Sequence, residues 1–336
     1  MKKIACAGIL VVDFIAAGLA KISSPGEITF APRGIGMHIG GHAANVSVDL
    51  MGLGLNPGEV MCLGAVGRDL CGDFIEQTLH DHHVSVNLQR TSEARTSLDL
   101  ILVVKGQDRR YHADVGANAC LDPSFVLRSV QKQKPLVFYV GGTGLLGTFD
   151  TNLARILREA QSYGGVTFVD PVMPYKKSWN YLRKAMKWID VFHCNDQEAE
   201  SLTGESHAAK AIRVLASYGP KLVVVSRGCE GVLAACRQRL MSLEAFRVRP
   251  LDPTGAGDAF CAGIIYNLAQ RLQAPEARNF DLKEEELAEI LLEAQAAGAA
   301  CVTGIGTTSA VTRKKVEELL AGQGARVRRS FKASPI

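Results

Sequence analysis

Apolar runs of strand length alternate with stretches of helical period along most of the chain. Ile4 to Val12 reads as a buried first strand, Ala43 to Met51 as a helix, Val60 to Val66 as a strand and Leu70 to Leu79 as a helix. Leu136 to Val140, Val166 to Val169, Val191 to Cys194 and Lys221 to Ser226 are further strand-length runs. Helical stretches at Thr151 to Ser162, Trp179 to Lys187 and Ala208 to Tyr218 separate them. Near-continuous apolar strands belong to a sheet covered on both faces, so the repeated β-α units predict an α/β fold with three layers, α/β/α, around a mostly parallel central sheet. Two regions break the pattern. Residues 14–39 hold Pro25, Pro32 and several glycines with only short apolar pieces, while 96–115 contain Leu98 to Val104, the turn Lys105-Gly106-Gln107-Asp108, and Arg109 to Val115. The second region predicts a β-hairpin, and the two together predict a small sheet projecting as a lid over a cleft. Three helices, at 256–272, 283–300 and 312–321, close the chain. The expectation is one domain over 1–336 with the lid segments inserted.

Composition changes this picture little. The 336 residues are 47% hydrophobic and 21% charged, an ordinary globular balance, and the formal charge is +4. The basic clusters Arg313-Lys314-Lys315 and Arg326 to Arg329 carry no interleaved aromatics, so they read as solvated surface and no nucleic-acid partner is expected. Nine cysteines, an odd number without a C-x-x-C pair, argue against a disulfide framework and a structural zinc site, and fit a reducing, cytoplasmic setting. Met1-Lys2-Lys3 followed by an apolar run imitates a short secretion signal, but Asp13 interrupts the pattern and a buried strand explains it equally well. No run reaches the length of a membrane span. His80-Asp81-His82-His83 falls at a helix end, where adjacent histidines point in different directions and read as solvated.

Candidate chemistry concentrates in Asp252-Pro253-Thr254-Gly255-Ala256-Gly257-Asp258-Ala259-Phe260, ahead of the apolar run Cys261 to Leu268. Small residues at 255–257 leave main-chain N–H groups unobstructed where a helix begins, and the macrodipole makes that end attractive to phosphate. A carboxylate at 258 would repel the anion unless it does chemistry beside it, taking the proton of a hydroxyl that attacks phosphorus. The plain alternative is a helix start capped by Thr254, with Asp258 favouring the dipole.

Two more short motifs lie at predicted strand-to-helix junctions: Gly40-Gly41-His42-Ala43-Ala44-Asn45 and Asn195-Asp196-Gln197-Glu198. With all three in this order, the chain resembles the ribokinase-like, or PfkB, family of carbohydrate kinases over nearly its whole length. The resemblance implies a ribokinase-like fold, ATP as donor, magnesium, and a sugar as acceptor. It makes Asp258 the general base, with the amides of Gly255, Ala256 and Gly257 as an anion hole. It assigns sugar binding to Asp13, Gly40, Gly41, Asn45 and, at the pocket's closing segment, Asn118. Asn195 and Glu198 become the pair that organises magnesium and its waters. Ser226 and Gly228 border the triphosphate, although Arg227 stands where the family usually has an apolar residue. Gln295 lies where the family lines the adenine pocket, frequently with Asn or His. Asp252 and Thr254, with carbonyls near Gly304 and Gly306, match a loop that in some relatives binds a potassium-like ion.

The residues alone support part of this. Asp13, placed at the end of the first strand, can accept two hydroxyl hydrogen bonds, and Asn45 can both donate and accept. Taken singly, Gly40, Gly41 and Asn45 read as turn glycines and a capping residue, and Asn195 with Glu198 as a helix cap with a first-turn acid. A rival from another class is an NAD-dependent oxidoreductase, since Gly142-Thr143-Gly144-Leu145-Leu146-Gly147 is a formal G-x-G-x-x-G with Asp170 ending the next strand. No P-loop sequence occurs. Few lid aromatics, chiefly Phe14, Phe30 and Tyr111, weaken a stacked nucleoside and favour a neutral monosaccharide. Arg109, Arg110 and His112 leave a sugar acid or sugar phosphate as the other acceptor. An apolar lid face suggests a homodimer through 14–39 and 96–115.

Overall fold

The computed structural model describes residues 4–107, 109–272 and 282–336, so Asp108 of the expected hairpin turn lies outside the described residues. In chain order the strands are β1 (Ile4–Gly8), β2 (Val11–Leu19), β3 (Ile35–Gly40), β4 (Val60–Gly67), β5 (Ser85–Thr91), β6 (Ser97–Val104) and β7 (Arg110–Ala113). They continue with β8 (Val137–Thr143), β9 (Val166–Pro171), β10 (Val191–Asn195), β11 (Leu222–Ser226), β12 (Val232–Cys236), β13 (Arg239–Leu243) and β14 (Lys332–Pro335). Ten of them form one sheet in the order β14-β13-β12-β11-β10-β9-β8-β1-β4-β5. The stretch from β11 to β5 is parallel throughout, and β12, β13 and β14 add an antiparallel edge.

Two separate apolar clusters cover the faces of this sheet, which is why its strands are apolar on both sides. On one face the helices His42–Gly52, Ala256–Arg271 and Glu284–Cys301 pack; on the other lie Pro123–Gln133, Thr148–Ser162 and Ala208–Ser217. The fold is the expected three-layer α/β/α arrangement. A second sheet, β3-β2-β6-β7, stands apart as the lid.

One expectation is corrected here. Ile4 to Val12 is not a single strand, and Asp13 does not end it. The main-sheet strand stops at Gly8, whose φ of 148° and close approach to Gly141 (a Cβ would lie 2.0 Å from the Gly141 carbonyl oxygen) exclude a side chain. Ile9 and Leu10 cross between the sheets, and β2 then enters the lid with Asp13 as its third residue. Hydropathy cannot reveal such a break, because both strands are buried. The strands β5, β12, β13 and β14 and the helix Pro123–Gln133 are additions to the elements expected from the sequence. The last helix runs past 321 through a π turn at Leu320–Gly324 into Ala325–Arg329, and β14 follows. Arg326 is not simply solvated: its guanidinium donates to Glu244 Oε2 at 3.0 Å and to the Ala245 carbonyl at 2.8 Å. Among the described residues no helix is long and apolar enough to cross a membrane.

Candidate active site

A cavity of about 860 Å³ opens at the carboxyl ends of the parallel strands, under the lid. That is where open α/β sheets leave a crevice. Asp258 and residues 253–257 form one wall, at the start of the helix Ala256–Arg271.

The helix start has no side-chain cap. Its N-cap is Gly255, at φ 81°, and the Thr254 hydroxyl is turned away, donating to Asp252 Oδ1 at 2.6 Å. The first ladder bond is Ala259 N to the Gly255 carbonyl at 2.9 Å, so the amides of 256–258 precede it, and Ala256 N has only a long turn contact of 3.4 Å to the Pro253 carbonyl. The capping reading of Thr254 therefore fails, and main-chain donors are left for an anion. Gly255 is required twice over, by its positive φ and because a Cβ there would lie 2.6 Å from the Thr307 carbonyl oxygen. Gly255→Ala should lower stability by about 1–2 kcal/mol from the backbone alone, with more from the contact. Gly257→Ala, whose Cβ would meet only His193 Cε1 at 3.8 Å, should unfold near the wild-type midpoint in urea.

Asp258 is buried, and Asn45 Nδ2 donates to its Oδ2 at 2.8 Å. Burial raises its pKa above the usual carboxylate range, partly offset by the nearby His42. Asn45 is oriented in turn, its Oδ1 lying 2.8 Å from Thr307 Oγ1. Asp13 faces the cavity from β2, in register with Asp99 of β6. Burial first, then the charges of Asp99, Asp258 and Asp252, push Asp13 up to about 8, and burial with Asp114 pushes Asp99 up to about 6. Gly41 lines the cavity, while Gly40 lies beneath the Asp13 carboxylate, where a Cβ would sit 2.3 Å from Oδ2.

Asn118 is not brought to the cavity wall. Its Oδ1 accepts from Leu10 N at 2.9 Å and its Nδ2 donates to the Leu10 carbonyl at 3.0 Å, clamping the crossing between β1 and β2. Asn195 and Glu198 both line the cavity and form a reciprocal capping box: Asn195 Oδ1 accepts from Glu198 N at 2.8 Å and Glu198 Oε2 from Asn195 N at 2.9 Å. Burial, then Asp170, push Glu198 up to about 7. Ser226 and Gly228 line the same side, but Arg227 turns out to ion-pair with Glu230 at 3.0 Å. Gln295 reaches the wall with its Nε2 donating to the carbonyls of Leu243 (3.2 Å) and Glu244 (2.8 Å), so its oxygen is what it can offer a ligand. Asp252 lies behind the wall, accepting from Thr254 N and Oγ1 and from Gly306 N at 3.0, 2.6 and 3.1 Å.

The sequence reading does not place His42, Asp99 or His193 at the site, and it takes Asp170 only as the acid of the dinucleotide-like pattern. Asp170 Oδ1 lies 2.8 Å from His193 Nδ1, and His193 Nε2 lies 3.1 Å from Ser226 Oγ. Although burial alone would raise Asp170, the two histidines hold it below the usual carboxylate range. His42 had a signal, its place inside the Gly40 to Asn45 motif; His193 sits in an apolar strand and had none.

The dinucleotide-like glycines resolve differently. Asp150 Oδ2 accepts from Gly144 N at 3.1 Å and Leu146 N at 3.0 Å, and Lys177 Nζ lies 2.7 Å from the same oxygen. The chain's own carboxylate occupies these amides, so this turn does not offer the pyrophosphate site that the oxidoreductase reading needs.

The pfkB family carbohydrate kinase profile matches residues 1–314. The chain is 27% identical over 308 residues to a ribokinase of Haemophilus influenzae, covering 89% of this chain and 92% of that protein. It is 28% identical over 287 residues to a fructokinase of Salmonella typhimurium, covering 81% and 88%. Among solved structures, ribokinase from Giardia lamblia superposes with a TM-score of 0.83 at 20% identity, covering 96% of this chain and 99% of that one. Fructokinase with bound ATP from Xylella fastidiosa superposes with a TM-score of 0.81 at 24% identity, covering 96% and 100%. At such identities the superpositions speak for the fold.

Proposed function

Because this chain belongs to the pfkB family and is an ATP-dependent carbohydrate kinase, we propose that it moves the γ-phosphoryl group of ATP to a hydroxyl of a neutral monosaccharide. The observation that carries this reading is the uncapped helix start at Gly255 with Asp258 in its first turn. Asp258 takes the acceptor's proton, and the amides of Gly255, Ala256 and Gly257 hold the charge on the transferred group. Its raised pKa keeps it a useful base while its hydrogen bond to Asn45 fixes its direction.

The acceptor end supports neutrality. Asp13, Asp99 and Asp114 line it, and an anionic sugar would have to approach all three. Of the three lid cations noted in the sequence only Arg109 lines the cavity, its guanidinium over the Tyr111 ring at 5.3 Å; Arg110 donates to Gln107 at 2.6 Å and His112 faces a separate hollow. Of the lid aromatics noted in the sequence only Tyr111 lines the cavity, so the lid offers no pair of rings to sandwich a base.

Bound magnesium would neutralise charge on the phosphates of ATP. Asn195 and Glu198 are suited to hold it through its waters, since the neighbouring acids Glu198 and Asp170 both gain from a cation there. Ser226, Gly228 and Gln295 border the nucleotide. A potassium-like ion at the Asp252 to Thr254 loop would rely on backbone carbonyls, because Asp252 already accepts three hydrogen bonds. We read 1–336 as one kinase domain with 14–39 and 96–115 as its lid, and a cytoplasmic setting fits nine unbridged cysteines. Exposed Ile28, Phe30, Ile35 and Met37 favour a homodimer through the lid.

An ATP-consumption screen with magnesium, over pentoses, hexoses, ketoses, sugar acids, sugar phosphates and nucleosides, tests the proposal. A neutral sugar should give the highest kcat/KM; a best acceptor that is anionic would overturn neutrality, and silence with every alcohol would overturn the assignment of Asp258.

A further inference from the structure

The transfer end of the cavity is rich in acids and poor in cations. Asp258, Asp170 and Glu198 line it, and among the described lining residues there is no lysine and one arginine, Arg109, which belongs to the lid. Phosphoryl transfer gathers charge that kinases ordinarily meet with a positioned cation. His42 occupies the place for one. It opens the helix His42–Gly52 directly after Gly41, and a ring nitrogen lies within 4.8 Å of carboxylate oxygens of both Asp258 and Asp170. No described residue hydrogen-bonds to the ring, which is partly exposed to the cavity. The end of β8 is shaped around it: a Cβ on Gly141 would lie 2.4 Å from His42 Cβ.

Resting on the kinase reading above, we propose that His42 is a further catalytic residue, donating an N–H hydrogen bond to a non-bridging oxygen of the transferred phosphoryl group. In the step it serves, the acceptor oxygen bonds to phosphorus and its proton passes to Asp258. The bond from phosphorus to the ADP oxygen breaks, with the electron pair leaving on ADP. His42 keeps its proton. Burial works against a charged imidazole, but the carboxylates of Asp258, Asp170, Glu198 and Asp99 that face it outweigh this and raise its pKa.

The test compares His42→Gln and His42→Lys with the wild type, using the best neutral acceptor. His42→Gln should lower kcat about 10²-fold with both KM values nearly unchanged, and His42→Lys, which keeps the charge, should restore kcat to within about tenfold. Wild-type kcat should fall as pH rises through the imidazole's titration, and that limb should be missing in His42→Lys. Wild-type kcat in His42→Gln would overturn the proposal. So would a His42→Lys enzyme as slow as His42→Gln at an unchanged melting temperature, or an alkaline limb that persists in it. If His42→Gln fails to fold, His42→Lys and the pH profiles still decide. A wild type that phosphorylates no alcohol would refute the kinase mechanism itself, a result separable from any of these.

Discussion

Asp258→Asn should lose about 10²–10⁴-fold in kcat while still binding its acceptor, because the change removes the proton acceptor and leaves the cavity's shape and the helix amides in place. The amide oxygen introduced by the substitution can still accept from Asn45 Nδ2, so the contact now 2.8 Å long survives. Steady-state turnover and acceptor titration by calorimetry together check it. Wild-type turnover would remove Asp258 from the chemistry, and loss of acceptor binding at intact turnover would make it a binding residue. In the wild type, Asp258 must be ionised to act, so kcat should also fall on the acid side. That limb should lie above the ordinary aspartate range, since burial raises this group.

Asp13→Asn should have the second largest effect, and it should divide binding from stability. Hydrogen bonds to a charged group contribute about 1.5–3 kcal/mol each, so above pH 8, where Asp13 is ionised, losing the carboxylate that two hydroxyls can address should raise KM for the acceptor by about 10²-fold. The acceptor-free protein, however, should gain stability near neutral pH. Asp13 titrates at about 8 in the folded chain against 3.8 ordinarily. Between those values the folded state holds a proton that the unfolded state has released, so wild-type stability falls as pH rises across this window, by up to about 1.4 kcal/mol per unit from this group. Asp13→Asn removes that slope. Urea unfolding from pH 5 to pH 8 would show it as a shallower decline; identical slopes would mean that Asp13 is solvated and ionised in the free enzyme.

These two acids were recognisable for different reasons. Asp258 stands in the same turn as the uncapped amides of the helix start, so a local pattern describes the whole unit. Asp13 is expected at the end of the first strand but stands on β2 at the cavity wall, because the break after Gly8 joins two apolar segments that belong to different sheets. Asn118 shows the reverse. Its sequence context suggested the pocket, and its amide instead clamps the main chain of Leu10, 108 positions away. The strand β5, at a sheet edge, is half-buried along most of its length with only Val86 and Leu88 apolar, and β14 is a largely exposed strand held by pairing with β13. Neither carries the apolar run by which the central strands announce themselves.

Residue order alone therefore determines the alternation of covered strands and helices, the three short motifs, and the helix start at 255–258 with its small residues and acid, since each depends on neighbours within a few positions. The lid's four-stranded pairing, the facing of Asp13 by Asp99, and the assembly of His42, Asp170 and His193 around Asp258 come from the folded sheet. Those side chains lie tens to hundreds of positions apart, and it is the packing of the central strands β9 and β10 against two helix starts that carries them out of water together. The same burial shifts their proton affinities, a property that no single residue has on its own.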